Sequence, residues 1–235
     1  MRKLIICAAA LLVLACGGAP KPAEPAAAPA ETTAAVTPDT TAPQSTPEPA
    51  AAPAAAPTAP GKAGTLKDTL VATNLPKDLF ITIKVRDYGT MKVKFYTEDA
   101  PKNVTNVANN AIKGFYNGLT FHRIVPGFVV QGGDPKGDGT GGPGYTVPAE
   151  IKRKHDKGAL AMARTGDQVN PRKESSGSQF YLCLAPLPML DGNYTVIGQI
   201  VEGMDVMEKI GGVKTGGQDR PVNPVVMEQV TVSTN

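Results

Sequence analysis

Ile81-Thr82-Ile83-Lys84-Val85-Arg86-Asp87-Tyr88-Gly89-Thr90-Met91-Lys92-Val93-Lys94-Phe95 is the stretch that decides the fold class. Ile81, Ile83 and Val85 alternate with Thr82 and Lys84, and Met91, Val93 and Phe95 alternate with Lys92 and Lys94. That two-residue period belongs to strands with one face buried. Arg86-Asp87-Tyr88-Gly89 between the runs supplies the turn, so the segment reads as a β-hairpin.

A helix is expected next. Pro101 suits a first helical turn, Glu98 and Asp99 lie near its positive end, and Gly114 marks its stop. Val104, Val107, Ala108, Ala111 and Ile112 then form a core-facing stripe at helical spacing. Beyond Gly114 the apolar runs are short and turns frequent: residues 119–124, 128–131, 159–163, 179–184, 194–200 and 225–232, with a second short helix near 204–210. About eight strands with so little helix cannot supply the crossovers of a parallel sheet. The expected architecture is mainly β, a closed eight-stranded antiparallel barrel with two flanking helices.

Outward toward the N-terminus the composition changes. From Gly17 to about Lys62 the chain is Ala, Pro and Thr with almost no large apolar side chain, so nothing offsets the entropy of ordering it. It reads as a tether; roughly 45 residues at about 3.1 Å each reach at most about 140 Å. Its alanines inflate the 41% hydrophobic fraction of the 235-residue chain. Residues 63–78 are transitional and carry no assignment. Before the tether, Arg2-Lys3, an apolar run from Leu4 to Leu14 and Ala15-Cys16 have the order of an export leader over residues 1–15, too short to span a bilayer. Val13-Leu14-Ala15-Cys16 also resembles a bacterial lipobox, which implies acylation of Cys16 and anchorage at a membrane. With Cys7 lost in the leader and Cys16 acylated, Cys183 is the one thiol left, expected as a small buried residue rather than a nucleophile. A net charge of +3, with basic residues scattered except at 152–154 and 172–173, describes a solvated surface and no nucleic-acid partner.

Gly137-Asp138-Gly139-Thr140-Gly141-Gly142 satisfies the dinucleotide pattern G-x-G-x-x-G, but Pro143-Gly144 and Pro148 forbid the helix whose N-terminus would receive a pyrophosphate. The glycines are expected to shape a loop. Two histidines, His122 and His155, without clustered cysteines give no zinc motif, so no metal or organic cofactor is expected.

Phe121-His122-Arg123-Ile124-Val125-Pro126-Gly127-Phe128-Val129-Val130-Gln131-Gly132-Gly133-Asp134 closely resembles the cyclophilin signature. Ser176-Gly177-Ser178-Gln179-Phe180-Tyr181-Leu182 and Leu190-Asp191-Gly192-Asn193-Tyr194-Thr195-Val196 resemble two further blocks of that family, in order, within a domain spanning residues 79–235. The resemblance implies a peptidyl-prolyl cis/trans isomerase that assists the folding of exported proteins, with proline-containing polypeptides as partners and a monomeric state. It places Arg123 as the donor to the prolyl nitrogen, with Gln131 steadying arginine and substrate. Phe128, Val129, Tyr181 and Leu190 match the proline cup; Gln179 and the backbone of Ala163 and Arg164 match the wall that binds residues before proline. Met189 and Tyr194 stand where the eukaryotic type has tryptophan and histidine, and the missing indole implies weak cyclosporin binding. Gly17 after the lipid cysteine lacks the aspartate that retains many lipoproteins in the inner membrane, so a Gram-negative cell is expected to carry this one on its outer membrane, facing the periplasm. The competing expectation is a non-catalytic cyclophilin-fold binding or chaperone module at the envelope; Arg123, Gln131 and Phe128 together favour the enzyme.

Overall fold

The computed structural model describes residues 65–234; the expected leader, Cys16 and the tether lie outside them. The alternating runs pair as read: β1 (Leu79–Val85) and β2 (Gly89–Phe95) are antiparallel, with Ile81 opposite Val93 and Ile83 opposite Met91. The turn between them needs left-handed backbone at Asp87 (φ 65°) and at Gly89 (φ 120°), the latter a conformation natural to glycine.

The chain continues through α1 (Pro101–Ile112), β3 (Arg123–Val125), β4 (Val129–Gly132), β5 (Thr146–Val147), β6 (Ala159–Met162), β7 (Ser175–Ser176), β8 (Phe180–Cys183), β9 (Val196–Glu202), α2 (Met204–Gly211) and β10 (Met227–Thr234). Eight strands form one antiparallel sheet in the order β10-β1-β2-β9-β6-β8-β4-β3. The two-residue strands β5 and β7 pair separately. The eight-stranded sheet is curled and mainly antiparallel β, as expected, but no continuous ladder joins its end strands β10 and β3. The strand expected from Leu119 begins only at Arg123. The residues before it instead meet the approach to β10 at isolated points: the Phe121 N–H donates to Val225 O (2.9 Å), the Gly118 N–H to Met227 O (2.8 Å) and the Met227 N–H to Leu119 O (2.8 Å).

Side-chain alternation in the middle strands creates two apolar layers. Leu160, Met162, Phe180, Leu182 and Val130 face the main core, where Val104, Val107, Ala108 and Ala111 of α1 are also buried. Their neighbours Ala159, Ala161, Ala163, Tyr181, Cys183 and Val129 form a second cluster on the other face. β6 and β8 are therefore buried on both sides, which is why they read as unbroken apolar runs.

Glu98 and Asp99 do not cap α1; its first turn holds no acidic residue. The long-range partner is Glu150, which accepts from the N–H groups of Lys102 (3.2 Å) and Asn103 (3.0 Å). A carboxylate there satisfies helix donors that have no partner inside the helix. The transitional residues are also placed: the Leu66 N–H donates to Val232 O (2.8 Å), Asn109 exchanges two hydrogen bonds with the Leu70 backbone, and Leu66, Leu70 and Leu75 pack on the main core.

Candidate active site

On the face bearing the second cluster lies a hollow of about 140 Å³ lined by Arg123, Phe128, Val129, Gln131, Ala163, Arg164, Tyr181, Leu190 and Tyr194. Its floor follows from strand register. Val129 faces Cys183, and Gln131 faces Tyr181, across β4 and β8, and Ala161 faces Tyr181 across β6 and β8. The small Ala159, Ala161 and Ala163 of β6 leave room for the rings. Arg123 stands directly opposite Gln131 in the β3–β4 ladder, so the two side chains project from the same face. Two guanidinium groups, of Arg123 and Arg164, and the Gln131 amide thus border a mainly apolar recess. Met189, expected at the site, does not line this recess; it is exposed and borders a shallower hollow beside Leu190 and Tyr194.

Beneath the recess the Tyr181 hydroxyl is 3.0 Å from His155 Nε2, and His155 Nδ1 is 2.8 Å from Asp191 Oδ1, which also accepts the His155 backbone N–H at 2.8 Å. A carboxylate can only accept, so the neutral ring carries its proton on Nδ1 and Nε2 accepts from the phenol. These bonds hold the Asp191 carboxyl below the usual carboxylate range. Burial raises the Tyr181 phenol, so the hydroxyl stays protonated and turned from the cup. The His155 ring stacks on Tyr181 (6.1 Å, 8°) and meets Tyr194 edge-on (6.3 Å, 88°). Cys183 is fully buried and its thiol is pushed up to about 12, chiefly by desolvation, which leaves it unreactive as the sequence suggested.

A larger hollow of about 780 Å³ adjoins the recess, sharing Gln131, Ala163 and Arg164, and the glycine-rich loop forms its other wall. That loop wraps a carboxylate of the protein itself. Asp134 accepts from the backbone N–H groups of Lys136 (2.8 Å), Asp138 (3.1 Å) and Gly139 (2.6 Å). Burial alone would raise its pKa, but these backbone donors outweigh that and hold it low. Donors that could cradle a phosphate are thus already engaged, in keeping with the reading of the glycines as loop-formers. Gln179 fastens the same loop, donating to Gly139 O (3.0 Å) and Gly141 O (2.7 Å) while its Oε1 accepts from Gln131 Nε2 (3.1 Å). Its amide hydrogens are engaged, so it holds the wall rather than offering donors. Ala163 likewise donates to Gln179 O (3.0 Å) and accepts from the Ser176 N–H (2.8 Å). The Arg164 side chain is locked by Asn193 O (2.8 Å) and Asp167 (2.6 Å) and lies over the Tyr194 ring at 4.6 Å.

The residue that sequence reasoning missed is Asp219, whose Oδ2 lies 3.3 Å from Arg123 Nε. Ninety-odd residues separate the two, with no local pattern linking them. Among the described residues no group of three or more His, Cys, Asp or Glu is placed to hold a metal.

Comparison with known proteins points in one direction. The model of the family described as cyclophilin type peptidyl-prolyl cis-trans isomerase/CLD matches residues 80–232. A Helicobacter pylori protein named peptidyl-prolyl cis-trans isomerase is 44% identical over 141 residues, 58% of this chain and 82% of that protein. An Aspergillus oryzae protein named peptidyl-prolyl cis-trans isomerase-like 1 is 45% identical over 143 residues, 58% of this chain and 85% of that protein. Among solved structures, a Cryptosporidium parvum cyclophilin type peptidyl-prolyl cis-trans isomerase superposes with a TM-score of 0.62 at 28% identity, covering 66% of this chain and 98% of that one.

Proposed function

This chain belongs to the cyclophilin-type peptidyl-prolyl cis-trans isomerase family and is an isomerase of that type, and on that premise we propose that it turns X-Pro bonds of exported proteins at a bacterial cell envelope, with Arg123 as its principal catalytic residue. The observation that carries the assignment of Arg123 is its place on the rim of an apolar recess of about 140 Å³.

Amide resonance sets a barrier of about 18–20 kcal/mol, and X-Pro bonds turn over in tens to hundreds of seconds. Bringing relaxation from about 100 s to milliseconds needs roughly 7 kcal/mol. Phe128, Val129, Tyr181 and Leu190 hold the proline ring and exclude water. The guanidinium of Arg123 donates to the prolyl nitrogen as it becomes pyramidal, localising the lone pair and removing double-bond character. One preorganised donor typically contributes about 3–4 kcal/mol, so the cup supplies the remainder by favouring the twisted amide over either planar isomer. Residues before proline lie in the larger hollow against the Arg164 backbone and the loop held by Gln179 and Asp134. Gln131, opposite Arg123 in the ladder, keeps the two hollows in register. We read the isolated bonds between residues 118–121 and 225–227 as closing the curled sheet into a barrel behind the site.

The envelope location rests on the leader pattern, Cys16 and the long Ala/Pro-rich stretch that follows. Acylation at Cys16 would hold a monomeric domain on a tether at the membrane, the outer membrane in a Gram-negative cell given Gly17. Arg123→Ala is expected to lower isomerisation of a proline peptide by about two orders of magnitude, near 2.7 kcal/mol, with the fold intact, in a protease-coupled assay. Unchanged activity would remove Arg123 from its role, and a wild type that binds such peptides without accelerating them would make the chain a binding module.

A further inference from the structure

Arg123 borders two hollows. Besides the recess, it lines a cavity of about 330 Å³ on its far side, together with His122, Asp138, Gln218, Asp219 and Arg220. An arginine open to free space on both sides has room to swing away from the prolyl amide, and small misplacement of a catalytic group carries a large penalty in rate. On the wall of that second cavity the Asp219 carboxylate lies 3.3 Å from Arg123 Nε, as an ion pair. Nε lies on the stem side of the fork, so a partner there fixes the plane of the group while the terminal nitrogens remain for the substrate.

The backbone carrying Asp219 is the tip of a tight hairpin, with Thr215 bridged to Pro221. Gln218 (φ 60°) and Asp219 (φ 57°) are consecutive left-handed residues that are not glycine, and the other two such residues among those described, Asp87 and Lys173, stand singly. Two successive left-handed residues are the geometry of a two-residue hairpin turn, and Asp is among the side chains that tolerate it. Here the turn is imposed from both sides. The Gly216 N–H donates to Arg220 O (2.8 Å) and the Val222 N–H to Lys214 O (2.9 Å), while Arg220 Nη2 reaches Gly137 O (2.8 Å) in the glycine-rich loop. The ion pair so produced is 38% and 46% exposed in its two side chains, and exposed pairs add little to stability. A hairpin turn that places a carboxylate on the stem side of the Arg123 guanidinium, in a pair of little structural worth, is best explained by what the pair does to Arg123.

We propose that Asp219 is a positioning residue for the isomerisation: held by the left-handed turn, its carboxylate fixes the Arg123 guanidinium at its Nε edge and keeps it facing the proline recess. The inference rests on the catalytic role of Arg123 and adds a second residue to it.

Asp219→Asn keeps size and tolerance of left-handed backbone while removing the charge; Asp219→Gly removes the side chain and relaxes the turn. Both are expected to lower kcat about two- to fivefold, the most a pair this exposed can bias the guanidinium, with KM changed less than about twofold. The melting temperature should be unchanged in the Asn variant and unchanged or higher in the Gly variant, which a merely structural residue would not give. The wild-type Arg123 Nε–H resonance should shift in the Asn variant. In the Arg123→Ala background, Asp219→Asn should have no further effect on the residual rate. Wild-type kcat in both variants, a rise in kcat, or an equal fall in the Arg123→Ala background would each overturn the inference. If Arg123→Ala is itself fully active, the catalytic assignment fails and the inference with it; if Arg123→Ala is inactive while the Asp219 variants are not, the inference alone fails.

Discussion

Tyr181→Phe tests whether the polar relay beneath the recess supports the cup or takes part in turnover. The substitution removes one oxygen and leaves the ring that lines the recess. His155 is wholly buried in its side chain, so Nε2 loses its 3.0 Å partner with no solvent to replace it. Leaving a buried acceptor unpaired costs about 1–3 kcal/mol. Taking about 2 kcal/mol, and about 2–4 °C per kcal/mol for a domain of this size, the melting temperature should fall by roughly 4–8 °C. Activity per folded molecule should change less than about threefold, since the prolyl group meets the same carbon surface. Calorimetry and the protease-coupled peptide assay measure the two quantities. Adding His155→Leu supplies the control: with both partners of the bond gone, the loss should be smaller than the sum of the single losses. An unchanged melting temperature together with a fall in activity beyond tenfold would refute the reasoning, because it would place the hydroxyl on the substrate.

Two other substitutions separate loop and helix from chemistry. Asp134→Asn replaces an acceptor of three backbone donors by a group with an amide facing them, and should destabilise by about 2–3 kcal/mol. Because the folded carboxyl titrates below its unfolded value, its contribution is full above the unfolded pKa of about 3.9 and is lost as pH falls through the folded value; the variant's stability should therefore fall less steeply with acid, as read by denaturant unfolding between neutral pH and pH 3. Glu150→Ala leaves the Lys102 and Asn103 N–H groups uncapped and should cost about 1–2 kcal/mol, with kcat/KM of the folded protein unchanged, since α1 does not line the recess.

What the sequence disclosed follows from how far each signal reaches along the chain. Strand period and helix stripe are local, so β1, β2, α1 and α2 were legible within a few residues of their ends. β5 and β7 have two residues each, too few to show a period, and their pairing depends on the loop between them. Glu98 and Asp99 looked like helix-capping acids because they are adjacent in sequence, yet the groups that satisfy α1 come from Glu150. Phe128, Val129, Tyr181 and Leu190, which the resemblance groups together, line one recess. What resemblance did not convey is how those residues are held. Gln179, matched by resemblance to the wall before proline, does line the larger hollow, and its amide hydrogens hold the glycine loop there. Asp191 and His155 lie 36 residues apart and no pattern joins them.

The same geometry explains why recognition and stability are so closely joined in this domain. β6 and β8, with Val129 and Val130 of β4, send one set of side chains to the main core and the alternate set to the second apolar cluster, so none of these residues is free to drift toward polarity. Apart from Gln131 near the end of β4, the polar groups around the recess enter from elsewhere. Arg123 and Gln131 stand at the ends of the short β3–β4 ladder. Asp219 is carried by a turn before β10, and His155 and Asp191 come from segments outside the strands. Each has a partner recruited across long sequence separations, because a charged or hydrogen-bonding group beside an apolar recess is stable only where its remaining bonds are met. The apolar strands therefore shape the recess, while the loops supply the charged groups at its edge. Variation in those loops can change rate and substrate preference without disturbing the sheet, whereas a polar substitution at Val129, Ala161 or Cys183 would unsettle cup and core together.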